Sequence, residues 1–227
     1  MYTMLTQIQA QKFAVENQTV VDNILKEHFQ MNLLDLLFNA PFEQNLVFKG
    51  GTCLRLAYGS FRFSEDLDFS ILADIPFSEF LQVIQKVTTI MPGAEIKDIY
   101  NKRNTLYARV ICMVEYRPIP IGIKVEVNKN ASDFEHTIRM ITSPFNNLSV
   151  LGRVYSLESI LKDKMRIMTN GERRDPRDLF DAWYIHQKVG RDFDIPEEFK
   201  YSRKELMDSL FHFIPQNQRK VIELFVR

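Results

Sequence analysis

Apolar residues recur at helical spacing early in the chain: Val20, Val21, Ile24, Leu25 and Phe29, then Leu33, Leu34, Leu36 and Leu37. This period predicts a helical segment over roughly 5–40, ended by Asn39-Ala40-Pro41. The pattern then shortens. NLVFK (45–49) is a short strand running into Gly50-Gly51, and Thr52 to Tyr58 reads as one or two helical turns stopped by Gly59-Ser60. EDLDFSIL (65–72) alternates, with Leu67, Phe69 and Ile71 on one face and Asp66, Asp68 and Ser70 on the other. Pro76-Phe77-Ser78 opens a helix with Ser78 as its N-cap. Its buried stripe is Phe80, Leu81, Ile84 and Val87, and Pro92-Gly93 closes it. LYARVICMVEY (106–116) and IGIKVEVNK (121–129) are two strands around an RPIP connection. Helices are expected over Leu157–Thr169, over Pro176–Lys188 and from about Arg203.

Helices, a strand-rich middle and then helices again describe an α+β chain. The composition shift at TSPFNNLS (142–149) is the best division, giving an α+β domain over 1–145 and a helical domain over 146–227.

Composition removes several function classes. Lys+Arg and Asp+Glu both number 29, so no whole-molecule field attracts nucleic acid and any anion site must be a local patch. The two cysteines, Cys53 and Cys112, sit in apolar settings; they form neither a disulfide framework nor a zinc spacing and fit a reducing compartment. The first residues lack the order of a signal peptide and no run is long enough to span a bilayer, which leads to the expectation of a cytoplasmic protein without membrane contact. His28, His136, His186 and His212 lack ligand spacing and are read as structural or surface residues.

Chemistry concentrates in KGGTCLRLAYGSFRFSEDLDFSI (49–71). Residues two apart on a strand share a face, so Asp66 and Asp68 project side by side and repel unless a cation lies between them. Mg²⁺ answers that need, since it is commonly held by one or two carboxylates plus phosphate oxygens. Gly50 and Gly51 let the backbone approach an anion, and the helical turn from Thr52 adds its positive end. Together these describe a triphosphate cradle beside a metal clamp, with the Thr52 hydroxyl free to donate to a phosphate. Asp-x-Asp alone is a weak signal; the joint order of strand, Gly-Gly-Thr, short helix and Asp-x-Asp strand is not.

This stretch resembles the signature of the AbiEii/AbiGii toxin family, nucleotidyltransferases of the DNA polymerase β-like superfamily. A second segment, SLESILKDKMRIMTNGERRDPRDLFDAWYI (156–185), is similar to that family's helical motif: a lysine in a Leu-rich helix, then Arg-Asp-x-x-Asp opening the next. The two segments span most of residues 45–190, and the departure is Cys53, where a small residue is more usual. The resemblance implies a polymerase β-like core with a mixed sheet and a helical C-terminal domain. It implies Asp66 and Asp68 as ligands of Mg²⁺ or Mn²⁺, with a third carboxylate on a neighbouring strand. Glu126, which strand alternation turns to the same side as Lys124 and Asn128, is the candidate; the alternative is a solvated face with a Lys124–Glu126 pair. Glu115 is the next candidate.

Lys164 matches the family lysine and would bind the β- and γ-phosphates. The other reading of it is a surface lysine. Asp178 would orient Lys164 or an arginine. One of Arg173, Arg174 and Arg177 would touch phosphate or RNA, or all would form salt bridges with Asp175, Asp178 and Asp181. Arg62 would bind triphosphate and Arg55 a structural partner. Ser64 is a candidate for the nucleotide site or a loop hydrogen bond. Phe61 and Phe63 could stack on a base. The expected activity is transfer of an NMP from an NTP to a hydroxyl, with RNA such as tRNA as acceptor, by the toxin of a toxin–antitoxin or phage-abortive system. A patch of Lys162, Lys164, Arg166, Arg173, Arg174 and Arg177 would serve RNA. A cognate antitoxin is a further partner. The rivals are transfer to a small molecule or protein, and a non-catalytic nucleotide- or antitoxin-binding module.

Overall fold

The computed structural model describes residues 2–131, 134–171 and 173–227. Among these, seven strands form one mixed sheet: β1 (Leu46–Lys49), β2 (Leu67–Ile71), β3 (Ala94–Asn101), β4 (Thr105–Cys112), β5 (Ile121–Ala131), β6 (His136–Ser143) and β7 (Asn146–Tyr155). The order is β3-β4-β5-β2-β1-β7-β6. β2 runs parallel to β5 and β1 parallel to β7, while the other neighbours are antiparallel. The mixed sheet with helices agrees with the α+β expectation.

One face of the sheet is apolar. Phe48, Leu67, Phe69, Val125 and Val127 are fully buried in the main core, together with Leu34 and Leu37 of a long helix. That helix is α2 (Val21–Phe38), preceded by α1 (Gln7–Glu16). The single segment expected over 5–40 breaks at Gln18, which adopts φ 49, just after Asn17 closes α1 by donating to the Phe13 carbonyl. α2 buries polar residues as well, including Glu27, His28 and Gln30.

α3 (Gly50–Tyr58) joins β1 to β2, and α4 (Phe77–Gln85) and α5 (Val87–Ile90) join β2 to β3. Ser78 lies inside the first turn of α4; Pro76 occupies the cap position, without a side-chain hydrogen bond. Val83 takes the place expected for Leu81 in the buried stripe.

The stretch 142–149 holds the turn of the β6–β7 hairpin at 144–145, with the paired strand ends on either side. A division at 145/146 passes through that turn and separates β7 from β6, whereas the change from sheet to helices comes after Tyr155. The helices are α6 (Leu157–Thr169), α7 (Pro176–Lys188) and α8 (Arg203–Leu210), followed by 3₁₀ turns over Gln216–Phe225. Ser156 caps α6 through the Ser159 amide, and Asp175 caps α7 with Pro176 in its first turn. A second core of Leu179, Phe180, Leu206, Leu210, Ile214 and Phe225 holds these elements together. No helix of the described residues is long and apolar enough to cross a membrane.

Candidate active site

The β1–α3 turn needs its glycines. Gly50 has φ +80, and a Cβ there would lie 2.6 Å from Oδ2 of Asp68. At Gly51 a Cβ would meet the Arg62 guanidinium and come 2.9 Å from Ser64 Oγ. Backbone and carboxylate are therefore in direct apposition at the start of α3. Thr52 corrects an expectation. Its hydroxyl is buried and donates to the Asp66 carbonyl at 2.5 Å, so it ties the Asp-x-Asp segment to α3 instead of facing a phosphate.

Asp66 stands just before β2, and Asp68 lies within it. Asp68 is opposite Glu126 in the parallel β2–β5 register, so both side chains project from the same face of the sheet. Burial pushes the Asp68 carboxyl up to about 6; the Asp66 charge adds to this, Lys49 and Lys164 oppose it, and Glu126 raises it further. Lys124 lies 3.6 Å from Asp66, not in a closed pair with Glu126. Glu115 is in the turn after β4, remote from Asp68, beside Pro92 and Gly93. Ser70, expected on the same face as Asp66 and Asp68, is buried and bonded to the Tyr155 hydroxyl at 2.8 Å.

A charged network closes the cleft. Lys164 is buried; its Nζ donates to Asp178 at 2.6 Å and lies 3.0 Å from Asp181. The reading as a surface lysine is thereby corrected. Burial pulls the Lys164 ammonium down, but Asp181 and Asp178 more than reverse this and leave it above the usual lysine range. Burial raises Asp181, and Arg62 and Lys164 together bring it below the usual carboxylate range. Arg62 is also buried. Its guanidinium grips Asp181 with two hydrogen bonds of 2.9 Å and donates to the Phe63 carbonyl, so it forms the cleft wall through an ion pair.

Asp178 accepts from both Lys164 and Arg173. Arg173 and Arg177 line the cleft; Arg174 turns away to the Lys200 carbonyl and the Tyr201 ring. Arg55 pairs with Glu27 and covers the Phe63 ring, the structural role expected of it.

A model of the family described as "Nucleotidyl transferase AbiEii toxin, Type IV TA system" matches residues 32–219. The chain belongs to this family. Among solved structures it is similar to MenT4, a nucleotidyltransferase toxin of Mycobacterium tuberculosis H37Rv, with TM-score 0.67 and 20% identity over 98% of this chain and 87% of that one. It is also similar to JHP933 of Helicobacter pylori, with TM-score 0.52 and 25% identity over 70% of this chain. The match spans 65% of the length of JHP933. No curated protein matches the chain.

The AbiEii family assignment directs attention to the metal. Among the described residues no group of three His, Cys, Asp or Glu side chains is gathered closely enough to hold an ion unaided. The donor set fits a cation bound jointly with phosphate oxygens: two carboxylates one residue apart, a third beside them, and one of them raised by its burial and by the charges of the other two.

Several members of this AbiEii site carry little signal in the sequence. Asp181 joins Asp178 on one face of α7, a three-residue spacing that marks it in retrospect. Glu65 is held between Lys26 at 2.8 Å and Arg177 at 3.4 Å, and Gln30 of α2 donates to the Ser64 and Glu65 carbonyls; nothing local signals either. Ser64 Oγ faces Gly51 at the cleft. Phe61 and Phe63 do not face a base: Phe61 packs on Phe180, Trp183 and Tyr184, and Phe63 stacks on Phe145. His28 is buried between the Thr3 and Phe145 carbonyls.

Proposed function

We propose that this AbiEii family member transfers an NMP from an NTP to a hydroxyl of an RNA such as tRNA, with Asp66, Asp68 and Glu126 as ligands of Mg²⁺ or Mn²⁺. The observation that carries the reading is Asp68. It is a carboxyl raised by burial and by Asp66, faces Glu126 across the strand pair, and lies against a glycine turn at a helix start. A bound divalent ion would supply charge neutralisation on the α-phosphate and the departing pyrophosphate.

The chain's own groups do the rest. The amides of the Gly50–Gly51 turn and the first turn of α3 receive phosphate oxygens. The network of Lys164, Arg62 and Arg173 against Asp178 and Asp181 carries three cations and two carboxylates. Its surplus positive charge faces the phosphates. Lys164 belongs to this network and, with Lys49 of β1, already pulls the Asp68 carboxyl down. The acceptor oxygen bonds to the α-phosphorus as the bond to the bridging oxygen of pyrophosphate breaks. The Glu126 carboxylate takes the proton of the acceptor hydroxyl. The family's type IV toxin–antitoxin setting supports an NTP substrate and a cognate antitoxin as partner.

The test is incubation of the chain with each α-labelled NTP, Mg²⁺ and total RNA, followed by gel analysis. Label in an RNA band that disappears in Asp66→Ala supports the reading. Label in protein or small molecules alone contradicts the RNA acceptor, and no label from any NTP contradicts the transferase.

A further inference from the structure

The row of partners that contains Asp68 and Glu126 continues across the sheet. Lys49, Asp68, Glu126, Tyr107 and Tyr100 are successive register partners on β1, β2, β5, β4 and β3. Register partners project to one face, and strands lie about 4.8 Å apart. Tyr107 is therefore roughly 10 Å from Asp68 and Tyr100 about 15 Å away, on the same open surface. The two rings stack, with centroids 5.9 Å apart and planes at 21°. Tyr100 is 48% exposed, and the Lys102 ammonium lies 4.8 Å from the Tyr107 ring and 5.9 Å from the Tyr100 ring.

Cations surround this pair. Arg109 and Lys124 are partners in the next row, both exposed, and Arg103 is exposed in the β3–β4 turn. Lys129 braces that turn by donating to Asn101 and to the Lys102 carbonyl. Two acids border the patch: Asp98, the register partner of Arg109, accepts from the Tyr100 hydroxyl at 2.9 Å, and Asp66 lies 3.6 Å from Lys124. In a chain of zero net charge this is a local concentration of cations around one exposed and one half-buried aromatic ring, in line with Asp68 and Glu126.

We propose that the Tyr100–Tyr107 stack, with Lys102, Arg103, Arg109 and Lys124 around it, holds the single-stranded end of the RNA acceptor and leads its terminal hydroxyl to Asp68 and Glu126. The proposal rests on the RNA reading above. Bases of an unpaired strand offer free faces to aromatic side chains, and such stacking tolerates any sequence; phosphates between the bases pair with the surrounding cations. Bases inside a duplex are already stacked and cannot use the surface. A row pointing at the carboxylates lets a strand of a nucleotide or two bridge platform and metal site.

The experiment is fluorescence anisotropy with a short labelled single-stranded oligoribonucleotide, on wild type, Tyr107→Ala, Tyr107→Phe and Tyr100→Ala, with NTP affinity measured in the same samples. Both alanine variants should weaken RNA binding by roughly 5- to 100-fold. Tyr107→Phe should keep wild-type affinity, and NTP affinity should not change. A blunt RNA duplex should bind more weakly and ignore the substitutions. Wild-type RNA affinity in both alanine variants would overturn the platform while leaving the RNA reading intact. Absence of single-strand binding by the wild type, in protein that still binds NTP, would overturn both.

Discussion

Lys164 and Asp178 are joined by a 2.6 Å hydrogen bond from one helix to the next, and the pair is buried beside the glycine turn. This makes the lysine proposed to meet the phosphates part of the fold. Each carboxylate it serves keeps an arginine, Arg173 on Asp178 and Arg62 on Asp181. Lys164→Met should therefore fold, with stability lowered by about 1.5–3 kcal/mol for a lost charged hydrogen bond, below the cost of stranding a buried charge outright. NTP affinity should fall as well. Melting temperature and calorimetric NTP titration check the two effects; unchanged NTP affinity would reduce Lys164 to a structural role.

Asp68 predicts a conflict between stability and function. Its folded pKa of about 6 lies above the ordinary aspartate value of about 3.9. A raised carboxyl binds more protons in the folded than in the unfolded state between these values. Stability therefore falls as pH rises from about 4 to 6, and the full penalty is present above 6. Asp68→Asn should remove it. In metal-free buffer the variant should melt higher than wild type at pH 8, by up to about 3 kcal/mol, and show no advantage at pH 4. Transfer should be abolished. A variant less stable than wild type at pH 8 would contradict the uncompensated charge at this position.

Gly50→Ala tests the close approach at the turn. A methyl group there meets Oδ2 of Asp68 at 2.6 Å, and φ +80 is unfavourable for alanine. The substitution should cost about 1–2 kcal/mol for the left-handed backbone and displace the Asp68 carboxylate. Transfer should drop far more than stability, as read by labelling rate against thermal melting. Wild-type turnover would show that the turn tolerates a wider separation from Asp68 than the geometry indicates.

The chemistry was legible where it was written in short-range order. The Gly-Gly turn and the alternation of β5 are local patterns that appear in the fold at the residues expected; β2 keeps Leu67, Phe69 and Ile71 buried but begins after Asp66 and buries Ser70 as well. Roles that depend on a distant partner were not. Thr52 looked free because nothing near it announces the Asp66 carbonyl. Only the family resemblance set Lys164 apart from a surface lysine, because Asp178 and Asp181 reach it from α7. Arg62 looked like a phosphate ligand because Asp181 lies far along the chain. The strands β3, β6 and β7 were missed for a related reason. β6 is an edge strand that shows Ile138 and Met140 to solvent and turns Arg139 against Tyr58, inverting the apolar-inward signature.

The most direct test of the account is Glu126→Gln. Glu126 is opposite Asp68 and apart from the glycine turn, so its amide variant should bind NTP with wild-type affinity by calorimetry. Its transfer of labelled NMP to acceptor should fall by roughly 10²–10⁴-fold, the loss expected for an acid–base group. Full transfer by Glu126→Gln would contradict the three-carboxylate site.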